Sequence, residues 1–328
     1  MSLEKIEAIK LSATNDKMPQ IGFGTWKIPK EVCKEVVFQA IKAGYRLFDC
    51  APSYENEVEV GQGIKKAIDQ GIVTRSELFI TTKLFSTHHR KEHVKLGIER
   101  SLRDLGLEYL DLYLIHSPVA LKHVSFEERY PPTLYYDLVE QKIIVDQVPL
   151  HETWAAMEQL VHSGLTRNIG ISNINASLLM DLLSYAKIKP SVLQIELHPY
   201  LTRKKLVSFA KSKGIAITAY SSFGDTSYHS MGMVDKSSGF VPLLENKTIL
   251  DIANNYSVTA AQVLLRWAVQ QNIAVIPKST NAERISLNMQ VYNFVLSNEE
   301  MKSIDDLNKD VRFVDPDFYI ECCPFYAN

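Results

Sequence analysis

Eight short runs rich in β-branched and aromatic residues recur along this 328-residue chain, each separated from the next by a longer stretch of helical character. They are IGFGTW (21–26), YRLFDC (45–50), LFITTK (78–83), LDLYLIH (110–116), TRNIGIS (166–172), VLQIEL (192–197), AITAYS (216–221) and AVIP (274–277). Strand then helix, eight times over, predicts an α/β fold in which a parallel sheet closes into a (β/α)8 TIM barrel. In KEVCKEVVFQAIKAG the helical spacing places Val32, Val36, Ala40 and Ile41 on one face, and Gly44 supplies the stop. Ahead of the first run, IKLSATNDKMPQI reads as a β-hairpin that turns at Asn15-Asp16 and plugs the barrel floor. Two long connections interrupt the rhythm. One spans 118–150 and holds Tyr130, Pro131, Pro132, Tyr135 and Tyr136; the other spans 223–246. Both are expected on the rim, as loops that enclose substrate and cover a cofactor, within one barrel domain over residues 1–328.

Bulk properties narrow the function classes. With 46% apolar residues the chain can bury a large core. Its 36 basic and 38 acidic residues are scattered, which argues against a nucleic-acid or anionic membrane surface. Small molecules are the expected partners. Four cysteines, Cys33, Cys50, Cys322 and Cys323, have neither metal-ligand spacing nor a secreted-scaffold pattern and suit a reducing compartment. MSLEKIEAIKLS lacks a signal-peptide apolar core, and no apolar run approaches the ~18 residues that span a bilayer, so a cytoplasmic protein is expected.

The strand ends carry the chemistry. Three consecutive runs stop at or beside Asp49, Lys83 and His116, and Tyr54 follows Asp49 by five positions. In a parallel barrel these ends share one rim, where this architecture gathers its reacting groups. A carbonyl that accepts a hydride develops charge on oxygen, and a phenol with an ordinary pKa near 10 can protonate it only with help. Lys83 is expected to lower the phenol's pKa, Asp49 to anchor the ammonium, and His116 to orient and polarise the carbonyl. Taken singly, each has a bland reading as a loop cap, a surface pair or a structural histidine; the four together point to carbonyl reduction. A metal-dependent barrel hydrolase would need paired histidines at the first strand end, and GFGTWK offers none, so no metal is expected.

These residues carry a resemblance. GFGTWK (22–27), GYRLFDCAPSYENEVEVG (44–61), TTKL (81–84), LDLYLIHSP (110–118), GISN (170–173), QIELHPYL (194–201), AYSSFG (219–224) and IPKS (276–279) are similar, in order, to motifs of the aldo-keto reductases over nearly the whole chain. FEERYPP (126–132), AYSSFG and RFVDP (312–316) most resemble yeast-type xylose reductases. The resemblance implies the tetrad Asp49, Tyr54, Lys83 and His116 and a nicotinamide cofactor. Three departures stand out: where xylose reductases usually carry an acid, an aromatic and an asparagine, this chain has Ser53, Ser117 and Val314. They remove groups suited to sugar hydroxyls and leave aldehyde, ketone, aldose and sugar phosphate open as substrates. The alternative is a non-turnover binding or ion-channel-type auxiliary subunit on the same barrel, and the intact tetrad favours turnover.

Cofactor residues can be read by segment. No GxGxxG follows the first strand, which disfavours a Rossmann domain. IPKSTNAERISLN (276–288) places Lys278 and Ser279 at a strand end, gives Thr280 and Glu283 capping-box spacing at a helix start, and sets Arg284 one turn in. Free amides beside two cations suit a ribose 2′-phosphate, so NADPH is expected, with NADH as the second option. Ser172, Asn173 and Gln194 can hydrogen-bond a carboxamide, or simply cap the following helix, and Tyr220 offers a ring for stacking. By resemblance, Asn288 touches adenine, and the backbone at Ser221 and Phe223 holds the pyrophosphate. Trp26 and Phe85, with His116, are expected against the substrate, and the protein is expected to act as a monomer or homodimer.

Overall fold

In the computed structural model the described residues are 7–224 and 241–314. An antiparallel hairpin of β1 (Ala8–Lys10) and β2 (Lys17–Pro19) precedes eight parallel strands: β3 (Gly22–Gly24), β4 (Leu47–Asp49), β5 (Phe79–Leu84), β6 (Leu110–Ile115), β7 (Thr166–Ser172), β8 (Val192–Glu196), β9 (Ala216–Tyr220) and β10 (Ala274–Val275). Each strand of the eight pairs with its sequence neighbour, and a parallel bridge from Ile21 to Val275 joins the first to the last. The barrel thus closes. Gly24 sits at that seam, where a Cβ would meet the Ile276 carbonyl oxygen at 2.7 Å. Only glycine lets the two backbones approach so closely.

Outside the barrel lie α1 (Lys30–Lys42), α2 (Glu57–Asp69), α3 (Lys91–Leu105), α4 (Leu150–His162), α5 (Ala176–Tyr185), α6 (Lys204–Ser212), α7 (Lys247–Tyr256), α8 (Ala260–Gln270), α9 (Ala282–Met289) and α10 (Asn298–Asp305). Strand pleating divides the core in two. On β5, Ile80 and Leu84 face the helices, whereas Phe79 joins Leu47, Leu112, Leu114 and Val192 inside the barrel. Ile9, Leu11 and Met18 of the hairpin close that inner cluster from below, so the hairpin plugs the floor as its pattern predicts.

Several local expectations differ from what forms. On α1, Val32 is exposed and Cys33 takes its place on the buried face with Val36, Val37, Ala40 and Ile41, because the stripe facing the strands starts one residue later. The carboxyl-terminal stop holds: Gly44 adopts φ 110. The 118–150 connection folds back over α3. There Phe126 stacks on His88 at 4.2 Å, Tyr130 lies 3.4 Å over the Arg100 guanidinium, and Asp146 pairs with Arg90. Tyr130 is therefore a packing residue, and Tyr136 is occupied by the Lys122 ammonium over its ring. Most of the second connection (225–240) and the Cys322-Cys323 pair lie outside the described residues. No described helix is long and apolar enough to cross a membrane.

Candidate active site

Because all eight strands run the same way, their carboxyl ends form one rim, and pleating decides which residues face inward. Leu47 and Asp49 alternate with outward Phe48 on β4, and Lys83 alternates with outward Thr82 and Leu84 on β5. Asp49 and Lys83 therefore meet inside the barrel mouth. The Lys83 ammonium donates to Asp49 Oδ1 at 2.5 Å, to the Cys50 carbonyl at 2.8 Å and to Tyr54 Oη at 3.1 Å, which occupies all three of its hydrogens. The other Asp49 oxygen accepts from Gln194 Nε2 at 2.6 Å.

Tyr54 ends a short 3-10 turn over Pro52–Tyr54, after which Glu55 takes a left-handed conformation and α2 begins. His116 follows β6 directly, and its ring stands edge-on to that of Tyr54, centroids 5.9 Å apart. Its carbonyl accepts from Asn173 Nδ2 at 2.9 Å. Phe85 is buried beside it at 6.5 Å between centroids. The structure thus brings Asp49, Tyr54, Lys83 and His116 together, although they are spread over 68 positions of sequence.

Electrostatics correct one expectation. Burial pushes the Tyr54 phenol up to about 12; Lys83 opposes that rise without reversing it. The phenol stays protonated at neutral pH. Burial also pulls on Lys83, but Asp49 and then Tyr54 outweigh it and hold the ammonium charged, above its ordinary value. His116 is driven down to about 3 by burial and then by Lys83, so it is a neutral imidazole, and its Nδ1 is buried without a partner. Two protonated donors and one neutral ring gathered at the barrel mouth can stabilise and protonate an oxyanion.

The same burial has a stability consequence. His88 and His116 are held down to about 3 and His89 to about 4, all by burial first, while burial raises Glu57 to about 7. Between pH 6.5 and about 4 the unfolded chain takes up protons on the three histidines that the folded chain refuses, and Glu57 offsets roughly one of them. Near pH 5 the net is about two protons, so folding stability should fall by about 3 kcal/mol per pH unit as acid is added. Urea midpoints compared at pH 7 and pH 5 check this; equal midpoints would contradict it.

The model of the Aldo/keto reductase family matches residues 20–309. The chain belongs to the aldo/keto reductase family. Among its relatives, a probable NAD(P)H-dependent D-xylose reductase of Emericella nidulans is 51% identical over 95% of this chain and 96% of its own. A 4-dihydromethyl-trisporate dehydrogenase of Mucor mucedo is 50% identical over the same shares, and an NADPH-dependent D-xylose reductase of Meyerozyma guilliermondii 48% over 92% and 94%. The aldose reductase structure from Schistosoma japonicum superposes with a TM-score of 0.84 at 38% identity, covering 94% of both chains.

Elsewhere on the reductase rim the residues fit a dinucleotide. Ser172 Oγ, at the end of β7, and Ser222 Oγ, just past β9, are buried without partners among the described residues. The helix after Ser172 and Asn173 is capped by Asn175, which accepts from the Leu178 amide, so neither residue is its cap. Asn173 instead takes φ 58 and accepts from Tyr220 Oη at 2.6 Å, and Gln194 has given its amide to Asp49. Ser221 also has positive φ, at the turn leading to Phe223.

Beyond β10, α9 starts one residue later than the spacing suggests. Asn281 caps it by accepting from the Arg284 amide, because a short Asn side chain reaches that donor, and Thr280 is left exposed outside the helix. Ser279 Oγ receives the Asn281 amide at 3.1 Å and Arg284 Nε at 3.3 Å. Lys278 and Arg284 have no carboxylate partner among the described residues, and burial and then Arg284 depress the Lys278 ammonium. Lys27 is depressed in turn, by burial and then by Lys278. A neighbourhood where cations lower one another suits a phosphate. Asn288 is buried on the same helix, and Trp26 stands beside Lys27, whose ammonium lies 4.9 Å over its ring. Lys27 was not singled out from the sequence: it lies within GFGTWK, and only the fold brings the first strand beside the last.

Proposed function

We propose that this reductase reduces an aldehyde or ketone to the alcohol with NADPH, NADH being the second option, and that Tyr54 is the general acid. The observation that carries this is the Lys83 ammonium held at once by Asp49, the Cys50 carbonyl and Tyr54 Oη. A reduced nicotinamide held at this rim would supply the hydride. The protein supplies the proton and the field. As charge grows on the substrate oxygen, Tyr54 Oη donates to it; an alkoxide is about as basic as hydroxide, whose conjugate acid has a pKa near 15.7, so transfer from a phenol at about 12 runs downhill. Lys83 stabilises the phenolate left behind, and Asp49 keeps Lys83 aimed. Neutral His116 orients the carbonyl, since a charged imidazole so close to Lys83 would be disfavoured.

Ser172, Asn173, Gln194 and Tyr220 would hold the nicotinamide end, Ser221 and Phe223 the pyrophosphate, and Lys278, Ser279, Thr280, Arg284 and Asn288 the adenosine 2′-phosphate end. Trp26 and Phe85 would face the substrate with His116. Xylose is one candidate. Relatives named for D-xylose and for 4-dihydromethyl-trisporate stand within one percentage point of identity, at 51% and 50%, and Ser53, Ser117 and Val314 lack the sugar-binding groups, so a less polar carbonyl is a second candidate. We place the whole chain in one barrel acting in the cytosol.

The 2′-phosphate assignment has its own test. Lys278→Ala or Arg284→Ala should weaken NADPH binding about 10- to 100-fold, as expected when a charge-assisted contact of ~1.5–3 kcal/mol is lost, and leave NADH within about twofold. Fluorescence titration with both nucleotides reads the difference. Equal weakening of both would show that these side chains serve α9 alone.

A further inference from the structure

Glu57 opens α2, three residues after Tyr54, and its carboxyl is buried, only 3% exposed. Burial raises it to about 7, with Thr82 and Ser101 lowering, Asp104 raising and Lys83 lowering it in smaller measure. No cation among the described residues touches it. Oε1 accepts from Thr82 Oγ1 at 2.5 Å and Oε2 from Ser101 Oγ at 2.9 Å. Thr82 is the outward-facing neighbour of Lys83 on β5, and Ser101 lies on α3. One carboxyl thus joins the start of the helix that follows the Tyr54 turn, the strand that bears Lys83, and the helix packed outside both.

The opposite side of the same turn is also tied. Asn56 Nδ2 donates to the Thr25 carbonyl at 2.9 Å and to the Ile28 carbonyl at 3.1 Å, on the connection between β3 and α1. The 3-10 turn of Tyr54 is therefore held between two buried polar side chains that follow it, one reaching each way. For stability alone this is a poor arrangement, because a buried carboxyl without a contacting cation costs more than the apolar side chains that could fill its place. Buried polar groups of this kind are expected where geometry matters to function.

Resting on the reading of Tyr54 as the acid, we propose that Glu57 is a positioning residue for the reduction: its carboxyl, clasped by Thr82 and Ser101, fixes the spacing between Tyr54 Oη and the Lys83 ammonium. That spacing is 3.1 Å, and a displacement of the order of 1 Å in a reacting geometry can cost up to 100-fold in rate. The groups that face the Glu57 carboxyl are Lys83 and Thr82 on β5, Ser101 and Asp104 on α3, Tyr113 on β6, Cys50 after β4, and Tyr130 of the connection over α3.

The test compares Glu57→Gln, Thr82→Val and Ser101→Ala with Tyr54→Phe, all as full-length protein, in NADPH oxidation with one aromatic aldehyde, alongside NADPH titration and thermal midpoints. Glu57→Gln and Thr82→Val should each lower kcat at least fivefold while KM and NADPH affinity stay within twofold, and Glu57→Gln should erase any inflection of kcat near pH 7. A merely structural carboxyl predicts a lower thermal midpoint with kcat within twofold of wild type, and that result overturns the proposal. If Glu57→Gln does not fold, Thr82→Val and Ser101→Ala decide by the same criteria. Should Tyr54→Phe keep its activity, the reading of the acid falls; should it lose activity while the Glu57 and Thr82 variants keep theirs, only the positioning role falls.

Discussion

Tyr54→Phe is expected to lose at least 1,000-fold in kcat for NADPH-dependent carbonyl reduction while its NADPH affinity stays within about twofold of wild type. The ring that stands against His116 is kept, and only the hydroxyl beside Lys83 is removed. Neither His116 nor Lys83 offers a proton as readily. His116 is a neutral imidazole with its pKa near 3, and the Lys83 hydrogens are held by Asp49, Cys50 and Tyr54. A fall of less than tenfold in steady-state NADPH oxidation would remove Tyr54 as the acid.

Lys83→Met should damage both stability and turnover, and the two losses can be separated. The ammonium is fully buried between Asp49 and Tyr54, so its removal leaves a buried carboxylate with Gln194 as its remaining side-chain donor among the described residues. Breaking one half of such a pair costs about 3–5 kcal/mol. The phenol also loses the charge that opposes its upward shift, so kcat should fall by 100-fold or more. In the double variant Asp49→Asn, Lys83→Met the orphaned charge is gone. Its urea midpoint should recover most of the lost stability, and its kcat should not recover. Joint recovery would mean that Lys83 acts only by holding the barrel together.

The barrel was legible because its signal is periodic and repeated. Eight apolar runs, each ending in turn or helix chemistry, leave few ways to bury both faces of a parallel sheet, and the inward positions of Asp49 and Lys83 follow from the two-residue strand period. The resemblance to aldo-keto reductases rested on motifs, and the family match confirms it. Local capping was less legible. Thr280 and Glu283 have the right spacing for a capping box, yet Asn281 takes the amide, because adjacent polar residues compete for one helix start and packing decides.

The sign of the Tyr54 shift could not be read from residue types. The sequence places a cation and a phenol on one rim, but only the depth of burial shows that desolvation outweighs the ammonium. The third acceptor of Lys83, the Cys50 carbonyl, is backbone and leaves no mark in the sequence. Glu57 was similarly hidden, since an acid in the first turn of a helix ordinarily reads as a favourable dipole partner at the surface.

A structure of the ternary complex with NADP+ and an unreactive carbonyl analogue tests the central claim most directly. The account predicts the analogue's oxygen within about 3.2 Å of both Tyr54 Oη and a ring nitrogen of His116, with Lys83 still bridging Asp49 and Tyr54. A carbonyl oxygen seated on other donors, with Tyr54 Oη beyond hydrogen-bond reach of it, would contradict the account.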